Sequence, residues 1–484
     1  MKLLPAYTKI VATLGPASDS YAAIRQIIES GARVLRLNFS HGTRADQQHR
    51  FDRARQASNE LGIPIAIFQD LQGPKIRIGE LAEPQFTVKK GEEIILTTEK
   101  CLGTPQRISI DYPHLHNEIG PNSRILIDDG LIELHVIKIE GPDIHCLITD
   151  GGIIKPHKGV NLPGVPLHNL SSFTAKDIRD LSFAFDNDVD YVALSFVRSA
   201  ADVAALRTHM REHYGREIPI ISKIEKPEAV ENLEEIIAES SAIMIARGDL
   251  GVEMFPEEVP ILQKSIIRAC HSAGLPVITA TQMLESMMFN ARPTRAETND
   301  VANAVLDGSS AVMLSGETAA GNYPLEAVRI MQRIITHTEQ SIEFKRLVLD
   351  QGLNREHLEL RSKRSVTEAV GLATRELALA IHATRIVCFT HSGSTARRIS
   401  KFRPSTPIIA FSPNESTIRF LALSWGVFPV LIKNIDSVDE LLDFAPLYLK
   451  EHKWIESGQT MVITAGVPVG LPGTTNMIKV VEIE

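Results

Sequence analysis

Cysteine is scarce in this chain. Only Cys101, Cys146, Cys270 and Cys388 occur in 484 residues. They are widely spaced and contain no CxxC pair, so neither a disulfide framework nor a zinc site is indicated. An excess of positive charge is also missing, since 51 basic residues face 59 acidic ones for a net charge of −8. That argues against non-specific binding to nucleic acid or acidic membranes and leaves a local anion pocket open. No stretch approaches the ~18 consecutive apolar residues that a membrane-spanning helix needs. The opening residues MKLLPAYTKIVATLGP place Pro5 and Lys9 inside what would be a signal core, with no small-residue cleavage pattern after it, so a cytoplasmic protein is expected.

What remains is ordinary globular composition, 44% hydrophobic and 23% charged, which excludes a disordered or fibrous chain. The length exceeds what one hydrophobic core sustains, so two or three domains are expected. Short β-branched apolar runs recur, each followed by a segment of helical period: TKIVATL (8–14), VLRLNF (34–39), IAIFQDL (65–71), YVALSF (191–196), IISKIE (220–225), AIMIAR (242–247), PVITAT (276–281) and AVMLSG (311–316). Such near-continuous apolar strands alternating with helices imply buried parallel pairing. Eight of them suit a closed (β/α)8 barrel, with an open doubly wound sheet as the competing arrangement.

Between about 74 and 169 the rhythm breaks into short alternating strands separated by Gly, Pro and Asp turns, as in TVKKGEEIILTT and RILIDDGLIELHVIKIE. This predicts a small all-β domain inserted after the third barrel strand, over the face where barrel active sites lie. After the charged stretch LVLDQGLNREHLELRSKR come the strands RIVCF (385–389), PIIAF (407–411) and TMVITAG (460–466), which predict a separate open α/β domain. The expected division is therefore a catalytic barrel over 1–73 and 170–343, a cap over 74–169 and a C-terminal α/β domain over 344–484.

Polar residues gather at the strand ends. Strand two ends in Arg36, Asn38, Ser40 and His41, strand three in Asp70, and strand four in Ser195 and Arg198. Strand five carries Lys223 and Glu225, strand six Arg247, Gly248 and Asp249, and the last two Thr281, Gln282, Ser315 and Glu317. Period-two alternation puts Lys223 and Glu225 on one strand face. Glu225 and Asp249 offer two hard oxygen ligands, the number Mg2+ usually takes from protein when substrate phosphate and water complete its shell. Arg36, Lys223 and Arg247 can neutralise a phosphoryl group. Structural salt bridges would explain any one of these residues, but not so many polar ends meeting at one mouth.

The segments RLNFSHG (36–42), DLQGPK (70–75), ISKIE (221–225), ARGDLG (246–251), TATQMLESM (279–287), RPTRAE (292–297), DVANAVLDG (300–308) and MLSGETAAGNYP (313–324), in this order, resemble the motifs of the pyruvate kinase family. The resemblance runs from residue 6 to the C-terminus and implies a barrel, an inserted small β-barrel cap and a C-terminal α/β regulatory domain. It implies Mg2+, with Mn2+ as an alternative, held by Glu225 and Asp249. Lys223 would sit at the transferring phosphoryl group and Arg36 would contact it. Thr281 and the Gly248–Asp249 backbone would receive the carboxylate of phosphoenolpyruvate. Proton delivery would run through Thr281, Ser315 and water. Asn38, His41, Arg77 and Lys158 would contact ADP or ATP, and the family is usually a homotetramer.

The stretch FQDLQGPKIRIG (68–79) departs from the commoner family pattern. In many pyruvate kinases the positions of Asn38, Ser40 and Asp70 bind K+. Leu71, Gln72, Lys75 and Ile78 are the set that accompanies independence from K+, so the resemblance implies Lys75 as an internal cation near Asp70. A tethered ammonium avoids the entropic cost of capturing a free ion. In the C-terminal domain, THSGSTARR (390–398) is a hydroxyl- and Gly-rich turn entering a helix, a setting that can cradle phosphate. The resemblance makes Thr390, His391, Ser392, Gly393, Ser394 and Thr395 the site of a phosphorylated allosteric effector, with GVPVGLPGTTN (466–476) as partner loop. Two other functions compete: a metal-dependent barrel lyase or aldolase acting on pyruvate- or oxaloacetate-type acids, and a catalytically silent metabolite sensor.

Overall fold

The computed structural model describes residues 6–353 apart from 166 and 168, 365–467 apart from 436, and 475–484. Three strands come first, β1 (Lys9–Leu14), β2 (Ala32–Asn38) and β3 (Ala66–Asp70). Eight strands of the insert follow: β4 (Phe86–Val88), β5 (Glu93–Thr97), β6 (Arg107–Ser109), β7 (Arg124–Ile127), β8 (Ile132–Glu140), β9 (Asp143–Asp150), β10 (Gly152–Ile154) and β11 (Val160–Asn161). The chain then returns with β12 (Tyr191–Leu194), β13 (Ile220–Ile224), β14 (Ala242–Ala246), β15 (Val277–Ala280) and β16 (Ala311–Leu314). It ends with β17 (Arg385–Phe389), β18 (Ile408–Ser412), β19 (Val427–Leu431), β20 (Thr460–Gly466) and β21 (Thr475–Glu482).

β1–β3 and β12–β16 close into a parallel barrel in the order β1-β16-β15-β14-β13-β12-β3-β2, so the closed barrel, not the open sheet, is what the eight apolar runs build. Alternation along each strand sorts the side chains. Ile10, Ala12 and Leu35 pack outward against the helices, while Val11, Val34, Phe68, Tyr191, Ile221 and Met244 fill the interior. The same inward phase, continued up each strand, passes from apolar to polar: Val34 to Arg36 to Asn38, Phe68 to Asp70, Tyr191 to Ser195, and Ile221 to Lys223. Register fixes their heights, pairing Thr13 with Arg36, Asn38 with Asp70, and Asp70 with Ala193. Several outer helices start at a Thr or Ser whose side chain and a following acid cap each other, as in Thr43/Asp46, Thr174/Asp177, Ser199/Asp202 and Thr294/Glu297. Each such box satisfies N–H groups that the helix cannot.

The insert folds as a six-stranded sheet, β11-β7-β8-β9-β5-β6, and a two-stranded sheet, β10-β4, around one apolar core that includes Ile94, Leu96, Ile125, Leu134 and Ile148. Arg77 bridges to Gly159 beside β11, and Ile78 bridges to Ile110 beside β6. This segment therefore pairs at both open edges of the larger sheet. The turn leading into it needs Gly73, whose φ is +69 and whose missing Cβ would lie 2.8 Å from Ser195 Cβ.

The C-terminal sheet has the order β19-β18-β17-β20-β21, with β21 antiparallel and the rest parallel. The helix Ile342–Leu353 runs across the position expected to separate barrel from C-terminal domain. Ala422 and Leu423 of the C-terminal domain pack into the interior barrel core. Tyr191 Oη donates to Phe420 O at 2.7 Å, and Arg419 Nε pairs with Asp190 Oδ1 at 2.8 Å. The N-terminal end of the barrel is thus stoppered by the C-terminal domain, and its C-terminal mouth faces the insert. Among the described residues no helix is long and apolar enough to cross a membrane.

Candidate active site

The mouth is organised around Lys223. Its Nζ lies 2.9 Å from Glu225 Oε1 and 3.5 Å from Asp70 Oδ1, and it donates to Ser195 Oγ at 2.8 Å. Asp70 is 1% exposed and also accepts from Arg36 Nε at 2.6 Å. Burial pushes Asp70 up, but Lys223 and Arg36 outweigh it and hold the carboxyl below the usual range. For Lys223 burial acts against the charge, and the two acids raise it well above the ordinary lysine value. Burial pushes Glu225 up and repulsion from Asp249 adds to it, so its net shift is upward despite Lys223. Of the two acids in this water-poor space, Asp70 is therefore the one its cations keep ionised, while Glu225 takes up a proton more readily than a free glutamate.

Two oxygens in that space are left over. Asp70 Oδ1 and Glu225 Oε1 are buried and face Lys223 outside hydrogen-bond geometry. Glu225 Oε2 is held by the Phe196 N–H at 2.6 Å. Glu225 and Asp249 are close enough to repel, yet among the described residues no three His, Cys, Asp or Glu side chains gather as a metal cluster. A buried carboxylate oxygen held only by the Lys223 ion pair, with one acid neighbour, fits a hard divalent ion that takes its other ligands from substrate and water.

Backbone strain marks the same rim. Phe196 and Thr281 are non-glycine residues at strand ends with φ of 54 and 68, a conformation that is costly for a β-branched residue and recurs at functional sites. It brings Thr281 Oγ1 to accept from Gly248 N at 2.7 Å while donating to Ala280 O at 2.6 Å. Asp249 sits in the first turn of the helix Arg247–Glu253. Ser315 Oγ is buried without a partner, and the Ser315 N–H donates to Glu317 Oε2 at 2.7 Å.

The remaining expected residues divide between those brought to the mouth and those held elsewhere. His41 lies in the field of Arg36, Arg77 and Lys75, which with burial lowers its pKa. Arg77 donates to His157 O at 2.9 Å, and Lys158 pairs with Asp128 at 2.8 Å, both within the insert. Asn38 Oδ1 accepts from Ser40 N at 3.1 Å. Lys75 is not paired with Asp70, whose partners are Arg36 and Lys223. Its Nζ is 3.9 Å from Asp129, and its Cε packs where a Cβ on Gly159 would lie, 2.8 Å away. Arg247, read from sequence as a phosphoryl-neutralising cation, turns away instead. It pairs with Asp300 at 2.7 Å and donates to Thr281 O at 2.7 Å, so it braces the Thr281 turn.

Ser195, expected only as a polar end of strand four, links three elements, while Thr13 and Glu253 were not foreseen from the sequence at all. Ser195 Oγ donates to Leu71 O at 2.7 Å while accepting from Lys223, joining β12, β13 and the strand-three exit. Thr13 Oγ1 accepts from Arg36 at 3.3 Å and donates to Leu314 O at 2.8 Å; its inward phase on β1 was the available signal. Glu253 accepts from Asn161 of β11 at 2.8 Å and from Lys226 at 2.6 Å, tying the insert to the helix that carries Asp249.

In the C-terminal domain Thr390 Oγ1 accepts from Gly393 N at 2.9 Å, and His391 O accepts from Asn414 and Thr417 at 2.9 and 2.6 Å. Gly393, with φ 81, precedes the helix Ser394–Lys401, and Thr395 bonds Thr475 at 2.7 Å. Ser392 is exposed at the tip of this turn. Residues 468–474 of the expected partner loop lie outside the described residues.

Comparison with known proteins converges on one family. Residues 6–328 match the pyruvate kinase barrel domain and residues 368–481 the pyruvate kinase alpha/beta domain. A pyruvate kinase of Staphylococcus saprophyticus is 44% identical over 474 residues, covering 98% of this chain and 80% of that one. One of Geobacillus stearothermophilus is 44% identical over 478 residues with the same coverages. The crystal structure of a pyruvate kinase from Cryptosporidium parvum superposes with a TM-score of 0.93 at 37% identity, covering 99% of this chain and 96% of that one. With both domain models matched in order around a strand-end cluster of this composition, the chain belongs to the pyruvate kinase family.

Proposed function

We propose that this chain transfers the phosphoryl group of phosphoenolpyruvate to ADP, giving pyruvate and ATP. The observation that carries the reading is Lys223, enclosed with Asp70 and Glu225 and backed by Arg36. A buried ammonium held ionised is already placed to stabilise charge developing on an enolate oxygen, without reorganising at the moment of reaction. Arg36, fixed by Asp70 and Thr13, faces the transferring phosphoryl group. The Thr281 hydroxyl and the Gly248–Asp249 backbone receive the substrate carboxylate, and Arg247 keeps that turn in place. Glu225 and Asp249 would hold Mg2+, or Mn2+ in its place, which when bound neutralises phosphoryl and carboxylate oxygens of the substrate. Ser315 Oγ, buried and unpartnered, supports a proton path to the enolate carbon through Thr281, Ser315 and water.

Asn38, His41, Arg77 and Lys158 are the proposed nucleotide contacts. Burial is the main cause of the lowered His41 pKa, and Arg36, Arg77 and Lys75 add to it, which puts three cations within reach of an anion at that place. Lys75 is the proposed internal cation that makes K+ unnecessary, and Asn38, Ser40 and Asp70 are the pocket it would have to enter from its present place beside Asp129. Its long contact with the well-exposed Asp129 holds it only weakly in that place. Thr390–Thr395 is the proposed effector site for a phosphorylated metabolite. The barrel (1–73 and 170–343), cap (74–169) and regulatory domain (344–484), assembled as a cytoplasmic homotetramer, complete the reading, and the family match does not favour a lyase or aldolase. Pyruvate release from phosphoenolpyruvate, ADP and Mg2+ in buffer free of K+ and Na+ tests it. Turnover should be strictly ADP-dependent; turnover without ADP would overturn the phosphotransfer, and large activation by K+ would overturn the role of Lys75 alone.

A further inference from the structure

At the opposite end of the barrel a crevice of about 290 Å3, open mouth included, separates the barrel from the C-terminal domain. The barrel lines it with His271 and Ser310, and the C-terminal domain with Arg397, Lys401, Arg403, Ser424 and Trp425. Its lining contains no carboxylate. Lys401 pairs outside the lining with Glu368. Arg403 is 5% exposed, donates to Gly308 O at 2.7 Å and to Ser310 Oγ at 3.2 Å, and stacks on the Trp425 ring at 4.5 Å. Arg397 lies 5.3 Å from the Phe420 ring. Among the described residues neither arginine has an acidic partner.

Two polar groups in the lining are unsatisfied. Ser424 is 2% exposed and its Oγ has no hydrogen-bond partner, and Arg397 Nε is enclosed without one. Buried polar groups are almost always paired, and buried charges cost most when unpaired. Aromatic stacking offsets only part of that cost. Two guanidinium groups without an ion-pair partner among the described residues, a free hydroxyl and a free N–H around one space are the complement of a tetrahedral oxyanion, which accepts from all of them. We propose that this crevice is a binding site for a phosphate-class oxyanion, separate from the loop 390–395. Ser424 Oγ and Arg397 Nε are sealed from water in this conformation, so the anion enters as the seam between the two domains loosens.

The chain has two tryptophans, Trp425 and Trp454, so Trp454→Phe leaves Trp425 as the sole, local reporter. Titrating that variant with inorganic phosphate, and separately with sulfate, should give a saturable change in Trp425 emission. Potassium chloride at equal ionic strength should give none. Adding Ser424→Ala or Arg397→Met should weaken the response by about tenfold or more, the usual effect of losing a hydrogen bond to a charged group. Ser392→Ala in the effector loop should leave it unchanged. In phosphate-free buffer Arg397→Met should melt no lower than its parent, since it removes an uncompensated charge. The proposal is overturned if no saturable change appears, or if chloride reproduces it. It is equally overturned if Ser392→Ala abolishes the change while Ser424→Ala leaves it intact. Ser424→Ala decides the matter should Arg397→Met fail to fold.

Discussion

The two ends of this barrel use positive charge in opposite ways. At the mouth, Arg36 and Lys223 both lie against Asp70, and Lys223 also against Glu225. At the floor, among the described residues, Arg403 and Lys9 touch only uncharged acceptors and aromatic rings, with Glu339 acting on both from beyond contact: Lys9 Nζ donates to Val427 O at 2.8 Å and sits 4.4 Å from the Phe428 ring. The titration behaviour follows. Lys223 is driven upward by its acids, whereas burial and Arg33 bring Lys9 down to about 7, and burial brings Arg403 to about 9. Charge that is paired before substrate arrives is preorganised for catalysis. Charge that is buried without an acid destabilises the fold until it sheds a proton or gains an anion.

That contrast breaks first at Lys223. Lys223→Met should lower kcat by about a thousandfold, the scale of losing a preorganised charge in the transition state, while KM for phosphoenolpyruvate moves far less. An equal change in KM with kcat intact would make Lys223 a binding residue only. Glu225→Gln should cost on the order of a hundredfold in steady-state rate and move the Mg2+ dependence to higher concentration. An unchanged Mg2+ titration would remove Glu225 from the metal site. Lys75→Glu should lose roughly tenfold in K+-free buffer, the worth of one partly exposed charge contact at a reacting centre, and recover part of that with K+.

The smallest effect sharpens the floor. The folded-state value of Lys9, about 7, lies below its unfolded value, near 10.4. Between the two the unfolded chain binds the extra proton, so stability rises with pH across that window and the penalty is full below it. Lys9→Met should therefore raise the melting temperature by a few degrees near pH 6, and the gain should shrink toward pH 10. A gain that does not depend on pH would mean packing, not charge, sets the effect.

Sequence made the mouth legible for a simple reason. Strands buried on both faces read as apolar runs, and period two then tells which polar residues at their ends share a face. That logic placed Asp70, Lys223 and Glu225 together. It could not see that Arg247 would be captured by Asp300, or that Lys75 would lean on Asp129 and Gly159, because those partners come from a distant helix and from loops of the insert. Strands β19 and β21 escaped notice as well: Pro429 interrupts the first, and exposed polar residues such as Asn476 and Lys479 dilute the second. The floor was unreadable throughout, since His271, Arg397 and Arg403 come to line one crevice, and Lys9 comes to Val427, only through domain packing.

The cluster around Lys223 is proposed to move a phosphoryl group from phosphoenolpyruvate to ADP. Quenched single-turnover reactions of the intact chain with phosphoenolpyruvate, ADP and Mg2+, quantifying ATP and pyruvate together, test it most directly. Equal amounts of the two products are expected, and almost none of either from Lys223→Met protein whose circular dichroism matches the parent. Pyruvate formed without ATP, or undiminished ATP from Lys223→Met, would contradict it.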